Sequence, residues 1–235
     1  MPRLKSLFLV AAIATATALM AQAATTYSLI RKPKVGEEAV YDFKAVLAFG
    51  DLKFTISGKN REKIVKVEED GTYTMESIQS GVTVETPEDK QTMDDEEKST
   101  LVYGPDRLLK SHAADGEESD AETIRLALLT TVKAPEKPVA IGEKWEATLK
   151  SDVKETFPVE AKYEVVGTEK VGEWDTIKVS FSSKETGDGK GEASGTIWLN
   201  TADFSTVKED SKIKNAPLSM APDGVDMTVT SERKK

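Results

Sequence analysis

Apolar and polar residues alternate through most of the chain, and that period predicts strands. Tyr41, Phe43, Ala45 and Leu47 share one side, with Asp42 and Lys44 on the other. Leu52, Phe54 and Ile56 alternate with Lys53, Thr55 and Ser57, and Gly50-Asp51 between the two runs predicts a β-hairpin. Residues 63–69 and 72–80 flank Asp70-Gly71, the strongest hairpin signal in the chain. Short strands are expected at 82–86 and 100–103, with a turn at Gly104-Pro105-Asp106. Two polar stretches, 87–99 and 111–119, carry no apolar period and are expected as exposed loops. The segment around Arg31-Lys32-Pro33-Lys34 reads as a linker.

The period then changes from two to about four. Ser119-Asp120-Ala121-Glu122 has the form of a capping box. Ile124, Leu128 and Val132 follow at four-residue spacing, widened by Ala121 and Leu129. This predicts one helix over 120–132, its apolar stripe packed on a sheet. Pro135 and Pro138 stop it.

Alternation resumes at Trp145, Ala147 and Leu149. It continues through Phe157, Val159, Ala161, Tyr163 and Val165, then Ile177, Val179 and Phe181. The run Gly195-Thr196-Ile197-Trp198-Leu199 is the most strand-like piece of this half. Residues 206–213 form a further strand, Pro217 and Pro222-Asp223-Gly224 break the pattern, and a last strand covers 225–231. The basic tail Arg233-Lys234-Lys235 is expected to fray.

The expected fold is mainly β with an α+β element: a curved antiparallel sheet or half-barrel of about a dozen strands with one packed helix. Residues 24–235 form a single domain from two halves, about 35–110 and 141–231, joined by the helix and a Pro-containing linker. Val35-Gly36-Glu37 is echoed by Ile141-Gly142-Glu143. Likewise Ile64-Val65-Lys66-Val67, followed by Gly71-Thr72-Tyr73, is echoed by Val165-Val166 and Gly172-Glu173-Trp174. Two diverged β repeats and a chance likeness between strand–turn–strand units both fit.

Residues 1–23 have the form of a cleavable signal peptide: Arg3 and Lys5, an uncharged apolar run to Met20, then Ala21-Gln22-Ala23. The expected product begins near Ala24 and is exported to a bacterial periplasm or the medium without a stable membrane anchor. The formal charge of −9 becomes −11 once the leader's two positive charges leave, which disfavours nucleic acid and anionic headgroups as partners. The absence of cysteine excludes disulfides, thiolate chemistry and a lipidated anchor. About 212 residues remain, enough for an unstapled core.

Pro138-Val139 with Gly142-Glu143 and Trp145, together with Gly195-Thr196-Ile197-Trp198-Leu199-Asn200 followed by 204–208, resembles exported bacterial β-rich proteins of unknown function. The strand–Trp–turn–strand ending is also similar to the half-barrel lipoprotein-carrier group, in which a curved sheet wraps a helix around an apolar cavity. The resemblance covers residues 135–213. It implies a sheet curved about the helix and a hydrophobic ligand, and it transfers no catalytic residue.

The residues themselves supply little chemistry. His112 is the only histidine; Ser111 and Asp115 beside it cannot readily aim at it, and no Gly-x-Ser-x-Gly elbow occurs. Asp94-Asp95-Glu96-Glu97 lacks the spacing of a calcium loop, and Gly187–Gly191 lacks that of a phosphate loop. No metal or cofactor is expected. Trp145, Trp174 and Trp198 are expected in the core, with Trp174 the most exposed. The leading expectation is therefore a non-enzymatic exported protein with a binding or structural role. The alternative is a carrier of a lipid or other apolar small molecule, held by Phe43, Leu47, Phe54, Ile124, Leu128 and Trp198. A hydrolase of unidentified type stands third.

Overall fold

A computed structural model describes residues 25–50, 52–118, 120–218 and 221–235. The expected leader, the turn residue Asp51 and the expected cap Ser119 lie outside the described residues. The alternating runs assemble into one curved antiparallel sheet. In the first half its strands are β2 (Glu38–Phe49), β3 (Leu52–Val67), β4 (Tyr73–Glu85), β5 (Lys90–Met93), β6 (Glu97–Tyr103), β7 (Leu109–Ala114) and β8 (Glu117–Glu118). Helix α1 (Ala121–Thr130) follows. The second half holds β10 (Lys144–Leu149), β11 (Val159–Val171), β12 (Trp174–Glu185), β13 (Glu192–Asn200), β14 (Thr206–Leu218) and β15 (Ala221–Lys234). Two short strands, β1 (Thr26–Tyr27) and β9 (Val139–Ala140), pair apart from the sheet.

Each half is an up-and-down meander, and the chain ends join them: β15 pairs with β14 on one side and β2 on the other. The sheet does not close, because β10 and β8 are its two ends. The basic tail does not fray. Arg233 and Lys234 lie in register with Tyr41 and Val40 of β2. Pro217 does not end its strand, and the break is absorbed as register shifts between β14 and β15. The stretch 87–99 likewise contains β5 and the start of β6, and 111–119 contains the end of β7 and all of β8. Backbone pairing formed these strands where no buried side chain demanded a period.

Helix α1 is capped by Asp120; its carboxylate accepts from Thr123 N–H at 2.8 Å. Ile124, Leu128 and Leu129 are buried against the second half, each contributing about 1.5–3 kcal/mol. The carbonyls at and just past the helix end are satisfied from the sheet. Ser183 Oγ donates to Leu129 O at 2.5 Å, Tyr163 Oη to Thr131 O at 2.9 Å and Trp145 Nε1 to Lys133 O at 2.9 Å. The helix thus plugs the concave face of one half only.

The two halves open with the same backbone device. Gly36 N–H donates to Ile64 O (2.8 Å) and Ile64 N–H to Glu37 O (2.9 Å); Gly142 N–H donates to Val165 O (2.7 Å) and Val165 N–H to Glu143 O (3.0 Å). Both glycines have left-handed φ, +84° and +87°, which only glycine adopts without cost. A one-residue bulge follows each contact, between Ile64 and Lys66 and between Val165 and Gly167. The neighbouring cross-strand ion pair occurs in both halves with its charges exchanged, Lys63–Glu38 and Lys144–Glu164. Aligned this way, the inward positions Tyr163, Ala161 and Val159 of β11, all core, correspond to Glu62, Asn60 and Gly58 of β3. One half fills its interior with apolar side chains and a helix. The other presents polar ones.

Packing is close inside the second half's sheet, at Gly195 of β13. A Cβ on Gly195 would lie 2.3 Å from Asp210 O and 2.9 Å from the Phe181 ring. Gly195→Ala is expected to cost about 1–3 kcal/mol, since the clashing atom is backbone in a paired strand and cannot swing away. Urea unfolding would show it as a lower midpoint with unchanged slope.

Candidate functional site

A cavity of about 260 Å³ lies where the C-terminal end of α1 stops short of the first half. Its floor is the inner face of β2, β3, β4 and β6, its side is β14, and residues 130–132 form its lip. Side chains there cannot be uniformly apolar, because three charged groups point in.

Arg107 comes from the turn after β6. It holds φ +73°, a left-handed conformation unfavourable for a residue with a Cβ by about 1–2 kcal/mol. The turn is closed by Arg107 N–H to Gly104 O (2.9 Å) and Gly104 N–H to Leu108 O (2.9 Å). The guanidinium donates to Phe204 O at 2.5 Å and Thr206 Oγ1 at 2.9 Å, both neutral acceptors. Its Nε–H is buried without a partner, and among the described residues no carboxylate lies within 4.0 Å of it. Arg31, by contrast, is saturated: it pairs with Glu37, donates to Asp203 O at 3.1 Å and lies 3.6 Å from the Asp203 carboxylate. The segment 31–34 is therefore no free linker. Arg31 N–H donates to Pro105 O and Lys32 N–H to Asp203 O, each at 3.0 Å.

Two acids line the same cavity as Arg107. Glu62 projects from β3, accepts from Asn60 Nδ2 at 3.2 Å and has no ion-pair partner among the described residues. Burial pushes its pKa up to about 7, although Arg31, Arg233 and Arg107 pull the other way. Glu209, from β14, is also raised by burial, opposed by the Ser211 hydroxyl and Arg107. Aromatic walls complete the site. Tyr73 and Tyr103 stack with centroids 5.5 Å apart, and Tyr41 donates to Thr206 O at 2.9 Å. Burial raises all three phenols, so each stays neutral. Ser77 Oγ donates to Asn60 Oδ1 at 2.6 Å and orients the amide beside Glu62.

None of the six apolar residues expected at a ligand site lines this cavity. Leu47, Ile124 and Leu128 are buried in the main core and Phe54 packs on it, in space already filled. The Phe43 ring covers Gly58. Trp198 sits on the other face of the sheet. Cross-strand Lys178 and Lys208 lie 5.2 and 4.9 Å from its ring, and its Nε1 donates to Glu169. Strand alternation turns Ile197 and Leu199 inward and the indole between them outward. Trp145 packs on the core, stacked on Tyr163 at 5.0 Å, and Trp174 is partly buried beneath the Arg233 guanidinium. His112 lies partly buried on β7, its pKa lowered by burial.

The residues that do line the cavity left only a negative trace in the sequence. Positions 58–62 interrupt the alternation between two apolar runs, yet β3 passes through them without a break. Arg107 follows a recognisable turn, with nothing local to distinguish it from a solvated arginine.

Among the described residues, no group of three or more His, Asp or Glu is placed to hold a metal ion. No protein-family model matches the chain, and no curated protein matches it in sequence. Among solved structures it is similar to a beta-barrel-like protein of a domain of unknown function, DUF1849, from Brucella abortus. The identity is 13%, the TM-score 0.47, and the match covers 88% of this chain and 98% of that one.

Proposed function

We propose that this is an exported, non-enzymatic binding protein whose cavity takes a small polar molecule bearing an anionic group. The observation that carries the reading is Arg107, a cation lining the cavity from a strained turn, with a buried Nε–H and no carboxylate within 4.0 Å among the described residues. An uncompensated charge in such a place costs several kcal/mol, and an anion bound there would offset it. The apolar-carrier alternative has less support: the helix already occupies the apolar concavity, and the open space beside it is walled by charge. Export follows from the leader-like residues 1–23, and the acidic surface suits a soluble periplasmic or extracellular role.

Glu62 favours a second reading. A carboxyl group with a pKa near 7 in a cleft is the property of a general acid or base, which would make the protein a hydrolase.

Native mass spectrometry of protein purified from its own host tests the first reading. The expected result is a small polar molecule bound to wild type and absent from Arg107→Met. Recovery of a lipid by solvent extraction would overturn it in favour of the carrier. Recovery of a molecule that wild type converts to product and Glu62→Gln retains would overturn it in favour of the enzyme.

A further inference from the structure

We propose that the occupant is a small zwitterion, its carboxylate on Arg107 and its ammonium on Glu62. This rests on the cavity being a small-molecule site and adds the chemistry of what enters it. Arg107, Glu62 and Glu209 line the cavity without an ion-pair partner among the described residues, none within 4.0 Å of an opposite charge. A purely anionic ligand would satisfy Arg107 and leave Glu62 and Glu209 facing a second negative charge. A purely cationic one would leave Arg107 as it is. A molecule with both charges satisfies the cation and an acid together. At about 260 Å³ the cavity is slightly below the usual range for ligand pockets, about 300–1,000 Å³, which suits an amino acid or short betaine rather than a lipid.

The arrangement links binding to protons, with a sign that identifies the ligand's charge. Groups facing Glu62 are Arg31, Arg233 and Arg107 as cations and Glu37 as an anion. Tyr41, Tyr73 and Tyr103 are neutral neighbours, and Glu209 lines the same space. At pH 6, below the pKa of about 7, Glu62 is mostly protonated. An ammonium group set beside it expels that proton, whereas an added anion draws a further one in.

Isothermal titration calorimetry of the mature protein, at pH 6 in two buffers of different ionisation heat, reads this sign directly. The probes are the common L-amino acids and glycine betaine, with n-butyrate and n-butylamine as single-charge controls. The expected result is at least one zwitterion bound tenfold or more tightly than either control, with net proton release. Arg107→Met should weaken that binding about ten- to hundred-fold, as loss of a charged hydrogen bond does. Glu62→Gln should abolish the proton release. The sign in wild type needs no variant, so misfolding of Arg107→Met leaves the test intact. Butyrate binding as tightly as any zwitterion, with proton uptake, overturns the zwitterion and leaves an anion site. No binding across the panel also overturns the zwitterion, while the cavity's role as a site stands or falls separately on the co-purified molecule.

Discussion

Arg125→Met is expected to destabilise the protein by about 3 kcal/mol at pH 7, the largest loss from any single substitution considered. Arg125 reaches from α1 to Glu185 at the end of β12 with two parallel bonds, Nε to Oε1 at 2.6 Å and Nη2 to Oε2 at 2.8 Å. The Glu185 carboxylate is fully buried and also accepts Gly191 N–H at 2.8 Å. Gly189 and Gly191 are needed for that approach. A Cβ at Gly189 would lie 2.6 Å from Glu185 Cβ, and one at Gly191 would lie 2.6 Å from Leu129 Cδ1. Burial alone would raise the Glu185 pKa, but Arg125 and the turn amides outweigh it and hold the carboxyl below its ordinary value. With a depressed folded pKa, the stability it contributes is present above the unfolded pKa and is lost as pH falls through the folded one. Methionine would leave the carboxylate buried and unpaired, so the loss should shrink as the pH is lowered and Glu185 takes a proton. Urea unfolding of Arg125→Met and of the double variant with Glu185→Gln checks this. The double variant should recover most of the loss, since the amide keeps Gly191 satisfied without a charge. Equal losses for single and double variants would mean that the ion pair is not what holds the helix.

Glu62→Gln should do the opposite and stabilise the protein by about 3 kcal/mol at pH 8, with little effect at pH 5. The folded pKa, about 7, lies above the ordinary value of 4.5. The native state therefore binds this proton more tightly than the unfolded chain. Wild type loses stability as pH rises from about 4.5 to 7, and the cost stays at its full size above. Glutamine removes the titration and with it the slope. Glu209 is raised in the same direction, so Glu62→Gln/Glu209→Gln should flatten the profile further. Melting temperatures of ligand-free protein between pH 5 and 8 check the prediction. An unchanged slope in Glu62→Gln would show that the carboxyl is hydrated well enough to ionise without penalty.

Such a cost is what a binding site carries when empty. The second half shows the same backbone with Tyr163 and Ala161 where the first half has Glu62 and Asn60, and there the interior is filled. The shared turn, bulge and ion pair make the two halves comparable position by position, and the polar positions of β3 are where they differ. The break in alternation at 58–62 was the sequence's trace of this. Read as an interruption between strands, it is the middle of one long strand, with Glu62 lining the cavity and Lys59 and Arg61 exposed.

Periodicity by itself determined the β-rich class, the single helix and its buried stripe, the Asp-Gly hairpin and the stop at Pro135 and Pro138. These are local consequences of side-chain spacing and turn chemistry. It could not determine which strands meet. The pairing of β15 with β2, which joins the two meanders and holds the tail, is between segments far apart in the chain. Nor could it collect Arg107, Glu62 and Glu209, from a turn and two strands, around one space. Their meaning comes from burial and mutual distance, which exist only once the sheet has curved.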